Sequence, residues 1–119
     1  MEKQKFSDGE YKLMEILWRR EPVTAKELAD EASDLIGWNK NTTYTVLCKL
    51  VKRGAVKRDE PCFSCTSLIS RDDARRSATN GLIEKLYGGS KKALFSALLE
   101  DEPIDSSELD ELRNLINNK

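Results

Sequence analysis

The chain has 119 residues, 20 of them Lys or Arg and 21 Asp or Glu, for a formal net charge of -1, with no histidine and three cysteines. This length allows one domain or two small ones, and no apolar run approaches the roughly 20 residues needed to cross a bilayer. Met1–Ser7 has no signal-peptide hydrophobic region, and three cysteines are too few and too odd for a secreted disulfide framework, so reduced thiols and a cytoplasmic location are expected.

In chain order, Ser7 with Glu10 and Thr24 with Glu27 fit the S/T-x-x-E capping box, in which each residue supplies a partner for amides left unpaired at a helix start. The first predicts a helix that turns Leu13, Met14, Leu17 and Trp18 inward and ends before Glu21-Pro22. The second predicts a helix burying Ala25, Leu28, Ala29 and Ala32. Leu35-Ile36-Gly37-Trp38 reads as a turn whose Trp packs into the core. A third helix, entered at Asn39 or Asn41 and stopped by Gly54, has Thr43, Val46, Leu47 and Leu50 at the i, i+3, i+4, i+7 spacing of a buried stripe. Ala55-Val56-Lys57-Arg58, turn-like Asp59-Glu60-Pro61 and Cys62–Ile69 then read as a two-stranded β-hairpin.

Ser70 opens a long helix through Tyr87 with Ala74, Ala78, Leu82, Ile83 and Leu86 on a stripe, ended by Gly88-Gly89. A Leu-rich helix from Lys91 to about Glu100 carries Leu94, Phe95, Leu98 and Leu99. After Pro103, Asp105-x-x-Glu108 starts a last helix with Leu109, Leu112, Leu115 and Ile116. The expected fold class is therefore mostly α (α+β): a winged helix-turn-helix over residues 1–69 with a two-stranded wing, followed by a three-helix module over 70–119. Three helices in fifty residues enclose a poor core. Leu82, Leu86, Leu94, Phe95, Leu98, Leu99, Leu109, Leu112, Leu115 and Ile116 are expected to meet a second copy in a homodimer.

Charge points to the function. From Leu35 to Arg58 every charged residue is basic: Lys40, Lys49, Lys52, Arg53, Lys57 and Arg58. Without these six, 14 basic residues face 21 acidic ones, so the cations are concentrated on one segment, the footprint of a polyanion-binding surface. A solvated lysine-rich face would give the same charge count, but the buried stripe fixes which side of the third helix is outside. That outer side carries Asn41, Thr45, Cys48 and Lys52, flanked by Thr42, Lys49 and Tyr44. Short hydrogen-bonding groups near the start of a helix suit base edges, and cations toward its end suit phosphates. Asn41, Thr42, Tyr44 and Thr45 are the candidate base readers on double-stranded DNA, and Lys40, Lys49, Lys52 and Arg53 the candidate phosphate ligands.

These segments together resemble the penicillinase-repressor family, which includes methicillin-resistance and copper-responsive repressors. The resemblance runs through Phe6–Tyr11, Ile16-Leu17-Trp18, Pro22–Leu28, Trp38–Thr45, Leu50–Ala55, Gly88-Gly89-Ser90 and Glu108–Leu112, nearly the whole chain. It implies a homodimeric winged-helix repressor on a dyad-symmetric operator, with a membrane sensor protease, or the protease it activates, as a further partner. Two departures stand out. There is no cysteine after Cys65 and no histidine, so the copper-responsive members' C-terminal Cys-x-Cys hook is missing; and Ala97-Leu98 aligns with the Asn-Phe pair at which penicillinase-type members are cleaved. The wing is also a residue or two shorter than in the penicillinase repressors and lacks their Gly-Arg tip.

Other functions find less support. Cys62-x-x-Cys65 has no second ligand pair for zinc, and neither a metal nor a cofactor is expected. Without a histidine base, a phosphate-cradling glycine loop or a G-x-S-x-G elbow, no catalytic residue can be named and an enzyme is not expected. The Asp72-Asp73, Glu100-Asp101-Glu102 and Asp110-Glu111 clusters fit helix capping and solvation. The alternative is a winged helix used as a protein-interaction adaptor without operator binding.

Overall fold

The computed structural model describes residues 5–101 and 103–119. The Met1–Ser7 segment and the Glu100-Asp101-Glu102 cluster thus lie partly outside the described residues. The chain divides into two compact units, one reaching Ala78 and the other Thr79–Lys119.

The first unit starts with α1 (Asp8–Arg20), β1 (Val23–Thr24), α2 (Ala25–Ile36) and α3 (Lys40–Lys52). Both capping boxes form. Ser7 Oγ accepts from the Glu10 amide at 3.2 Å while Glu10 accepts from the Ser7 amide at 2.9 Å, and Thr24 and Glu27 repeat the exchange at 3.1 Å each way. Helix α2 runs through Leu35 and Ile36, expected to lie in a turn, and ends at Gly37, whose φ of 70° is the left-handed conformation that a helix-terminating glycine adopts without strain. Asn39 caps α3 by accepting from the Thr42 amide at 2.8 Å.

The core matches the stripes. Leu13, Met14, Leu17, Leu28, Leu50, Val56, Thr43 and Cys65 are fully buried, and Trp18, Trp38 and Val46 pack against the cluster half-buried. At about 1.5–3 kcal/mol for each large apolar side chain removed from water, this cluster is what holds the three helices together.

The expected hairpin forms and gains a third strand. Strand β2 (Val56–Asp59) pairs antiparallel with β3 (Ser64–Ser67), and β1 adds a third strand on the other side of β3, giving the order β1-β3-β2. The register sets Val23 opposite Cys65 and Thr24 opposite Ser64. A two-residue strand is too short to alternate, and Thr24 doubles as the cap of α2, so its strand role was hidden behind its capping role. Cys62 lies in the exposed turn while Cys65 is buried in β3, and both thiols are free. Burial raises the Cys65 thiol pKa, and Arg58 offsets this only in part.

Two contacts fasten the sheet to α1. Glu21 accepts from the Ser67 amide at 2.7 Å and from its hydroxyl at 3.0 Å, and the Trp18 indole donates to the Ile69 carbonyl at 2.9 Å. Helix α4 (Arg71–Tyr87) begins in this unit, where Ala74 is buried and Arg71 reaches Glu15 at 3.3 Å. In the second unit the end of α4 is followed by α5 (Lys91–Asp101) and α6 (Ser106–Asn117), the latter capped by Asp105 accepting from the Glu108 amide at 2.8 Å.

Candidate nucleic-acid interface

Helix α3 turns the expected residues outward. Asn41, Thr42, Tyr44, Thr45, Cys48, Lys49 and Lys52 are exposed, whereas Thr43, Leu47 and Leu50 are buried and Val46 is half-buried. Tyr44, Thr45, Cys48, Lys49 and Lys52 line one shallow open depression of about 420 Å³ along this face. Thr45 has a local constraint: its hydroxyl donates to the Asn41 carbonyl one turn back at 2.8 Å. With the proton committed there, Thr45 offers an outside partner its methyl group and oxygen lone pairs, which suit a thymine methyl or a base amino group.

The six cations are not equivalent. Lys40 sits 3.7 Å from Asp30 of α2, Arg53 2.8 Å from Glu10 of α1, Lys57 3.7 Å from Asp59 and Arg58 3.6 Å from Glu60. Among the described residues, only Lys49 and Lys52 of the six have no carboxylate at ion-pair distance. The acid-free stretch of sequence thus does not make an acid-free surface, because Asp30 and Glu10 come from distant segments. The Lys57–Asp59 pair follows from alternation, since residues two apart on a strand share a face, whereas Glu60 lies in the turn beyond β2.

Arg53 is the most firmly held. Besides the ion pair, its guanidinium donates to the Lys5 carbonyl at 2.6 Å and lies 5.0 Å from the centre of the Phe6 ring. Glu10 therefore serves both the cap of α1 and the end of α3. Burial opposes ionisation of Glu10, but hydrogen bonds from Ser7 and Arg53 with the Arg53 charge outweigh it and hold the carboxyl below the ordinary carboxylate range. Sequence reasoning missed this contact, which spans 43 positions.

In the second unit Ile83 is buried, but most of the apolar stripe residues stay uncovered within one chain. Leu82, Leu86, Phe95, Leu98, Leu99, Leu115 and Ile116 are each at least 44% exposed, and Leu94, Leu109 and Leu112 are half-buried. Phe95, Leu98 and Leu99 from α5 and Leu109, Leu112, Leu115 and Ile116 from α6 line a groove of about 540 Å³. Contiguous exposed apolar surface of this kind marks a site of association. Among the described residues no helix is long and apolar enough to cross a membrane, and no cluster of three or more His, Cys, Asp or Glu is placed to hold a metal ion.

Comparisons with known proteins agree with this geometry. A family model described as the penicillinase repressor matches residues 6–118. The methicillin resistance regulatory protein MecI of Mammaliicoccus sciuri is 29% identical over 115 residues, covering 95% of this chain and 94% of its own. The penicillinase repressor of Staphylococcus aureus is 29% identical over 113 residues, covering 93% and 90%. Among solved structures, the DNA binding domain of the repressor BlaI superposes with a TM-score of 0.55 at 27% identity, over 60% of this chain and 90% of that domain.

Proposed function

The chain belongs to the penicillinase repressor family, and from that premise we propose that it is a homodimeric, sequence-specific transcriptional repressor that binds a dyad-symmetric operator. The outer face of α3 is the main support: it is exposed along its length and carries Lys49 and Lys52, which among the described residues have no carboxylate at ion-pair distance. One such helix per copy enters one major groove, and two copies read half-sites about 34 Å apart, or a multiple of that spacing. Asn41, Thr42, Tyr44 and Thr45 read base edges. Lys49 and Lys52 hold most of the phosphate contacts, because Lys40 is paired with Asp30 and Arg53 with Glu10.

The exposed leucines and Phe95 of the second unit meet their copies in the dimer. Dimerisation matters because it links two weak half-site contacts into one strong one. An attack on this interface would therefore end repression; if induction is of the penicillinase type the cut falls within α5, but with Ala97-Leu98 in place of Asn-Phe a protease that recognises Asn-Phe leaves this chain intact.

Duplex titration by fluorescence anisotropy between 50 and 200 mM salt, with sedimentation of the free protein at micromolar concentration, tests the proposal. Affinity that falls steeply with salt and a dimeric mass are expected. A monomer overturns the dimer, and salt-insensitive or absent duplex binding favours the adaptor reading instead.

A further inference from the structure

Strand β2 and the turn after it read Lys57-Arg58-Asp59-Glu60; Lys57 and Asp59 share a face of the strand, and Glu60 follows in the turn. The structure makes both pairs, at 3.7 Å for Lys57 to Asp59 and 3.6 Å for Arg58 to Glu60. Arg58 is further engaged, its guanidinium lying 4.1 Å from the centre of the Phe63 ring. Phe63 is itself held at a φ of 54°, with its carbonyl accepting from the Ala25 amide at 3.0 Å. The turn is thereby fixed to the start of α2. The segment as a whole carries no net charge, although it leaves the end of α3 only a few residues after Lys52.

We propose that Asp59 and Glu60 are specificity-determining residues: they keep the wing's Lys57 and Arg58 from capturing DNA phosphates, so that non-specific duplex is held chiefly by α3. The inference rests on the DNA-binding reading above. Sequence-independent affinity comes almost wholly from phosphates neutralised by Lys and Arg, so each cation withheld lowers it while leaving base readout untouched. Single exposed ion pairs contribute little to stability, so this charge pattern has more consequence for binding than for folding.

The experiment measures anisotropy of a labelled random-sequence duplex across 50–200 mM KCl with the wild-type full chain and three variants. Asp59→Asn with Glu60→Gln is expected to tighten random-duplex binding by about an order of magnitude at 50 mM and to steepen the salt slope by up to about 1.8 per protomer, near 0.9 for each phosphate gained. Lys57→Gln with Arg58→Gln is expected to leave the wild-type slope nearly unchanged. Asp72→Asn with Asp73→Asn makes the same change in net charge on α4 and is expected to have a much smaller effect. If the wild type binds the duplex but the first variant does not alter the slope, or if the α4 variant alters it equally, the inference fails and the DNA-binding reading stands. If the wild type shows no salt-dependent binding, both fail together.

Discussion

Replacing Lys49 by alanine tests how the cations divide their work. If Lys49 and Lys52 are the principal phosphate ligands, a dimer neutralises four phosphates through them, and at about 0.9 per phosphate the log-log salt slope is near -3.6. Between 50 and 200 mM, a fourfold change in salt, that slope corresponds to a loss of roughly 150-fold in affinity. Lys49→Ala removes two of the four contacts, halves the slope to about -1.8 and reduces the loss to roughly twelvefold. Both sides of the comparison are read from anisotropy titrations at three or four salt concentrations on one duplex. Because a phosphate contact carries no sequence information, the weakening should be uniform across operator-like and random sequences. An unchanged slope, or a loss confined to one sequence, refutes the assignment and means that α3 lies on DNA in a different orientation.

Three further outcomes are expected. Thr45→Ala or Asn41→Ala should relax sequence preference at one position of each half-site by about 1–3 kcal/mol while leaving the salt slope intact, as read by competition with single-base operator variants. Glu10→Gln should cost about 1.5–3 kcal/mol in urea unfolding at pH 7, the range for a hydrogen bond to a charged group. The folded-state pKa of Glu10 is depressed, so its stabilisation is complete above the ordinary Glu value of about 4.3 and fades as pH falls through the lower folded value; the variant should lack that part of the acid loss. Truncation after Gly88 removes α5 and α6 and should give a monomer by sedimentation whose operator affinity is weaker by orders of magnitude; a dimeric truncation would move the interface elsewhere.

Much of the first unit was legible because its signals are local. The two capping boxes fixed where α1 and α2 begin, and the Thr43, Val46, Leu47, Leu50 stripe fixed which side of α3 is outside. Local signals do not report contacts between distant segments. Asp30 against Lys40 and Glu10 against Arg53 depend on how three helices pack, and β1 is visible only once β3 lies beside it. The positive segment was correct as sequence and overstated as surface, since four of its six charges have neighbouring carboxylates.

The bond from the Ala25 amide to the Phe63 carbonyl joins the first residue of α2 to the turn of the wing. Together with Thr24, which is at once the end of β1 and the cap of α2, it ties the hairpin to the start of α2, so the two are expected to open together. A wing that peeled away would uncover the first turn of α2 as it left. The exchange protection of a single amide, that of Ala25, therefore follows the attachment of the whole hairpin.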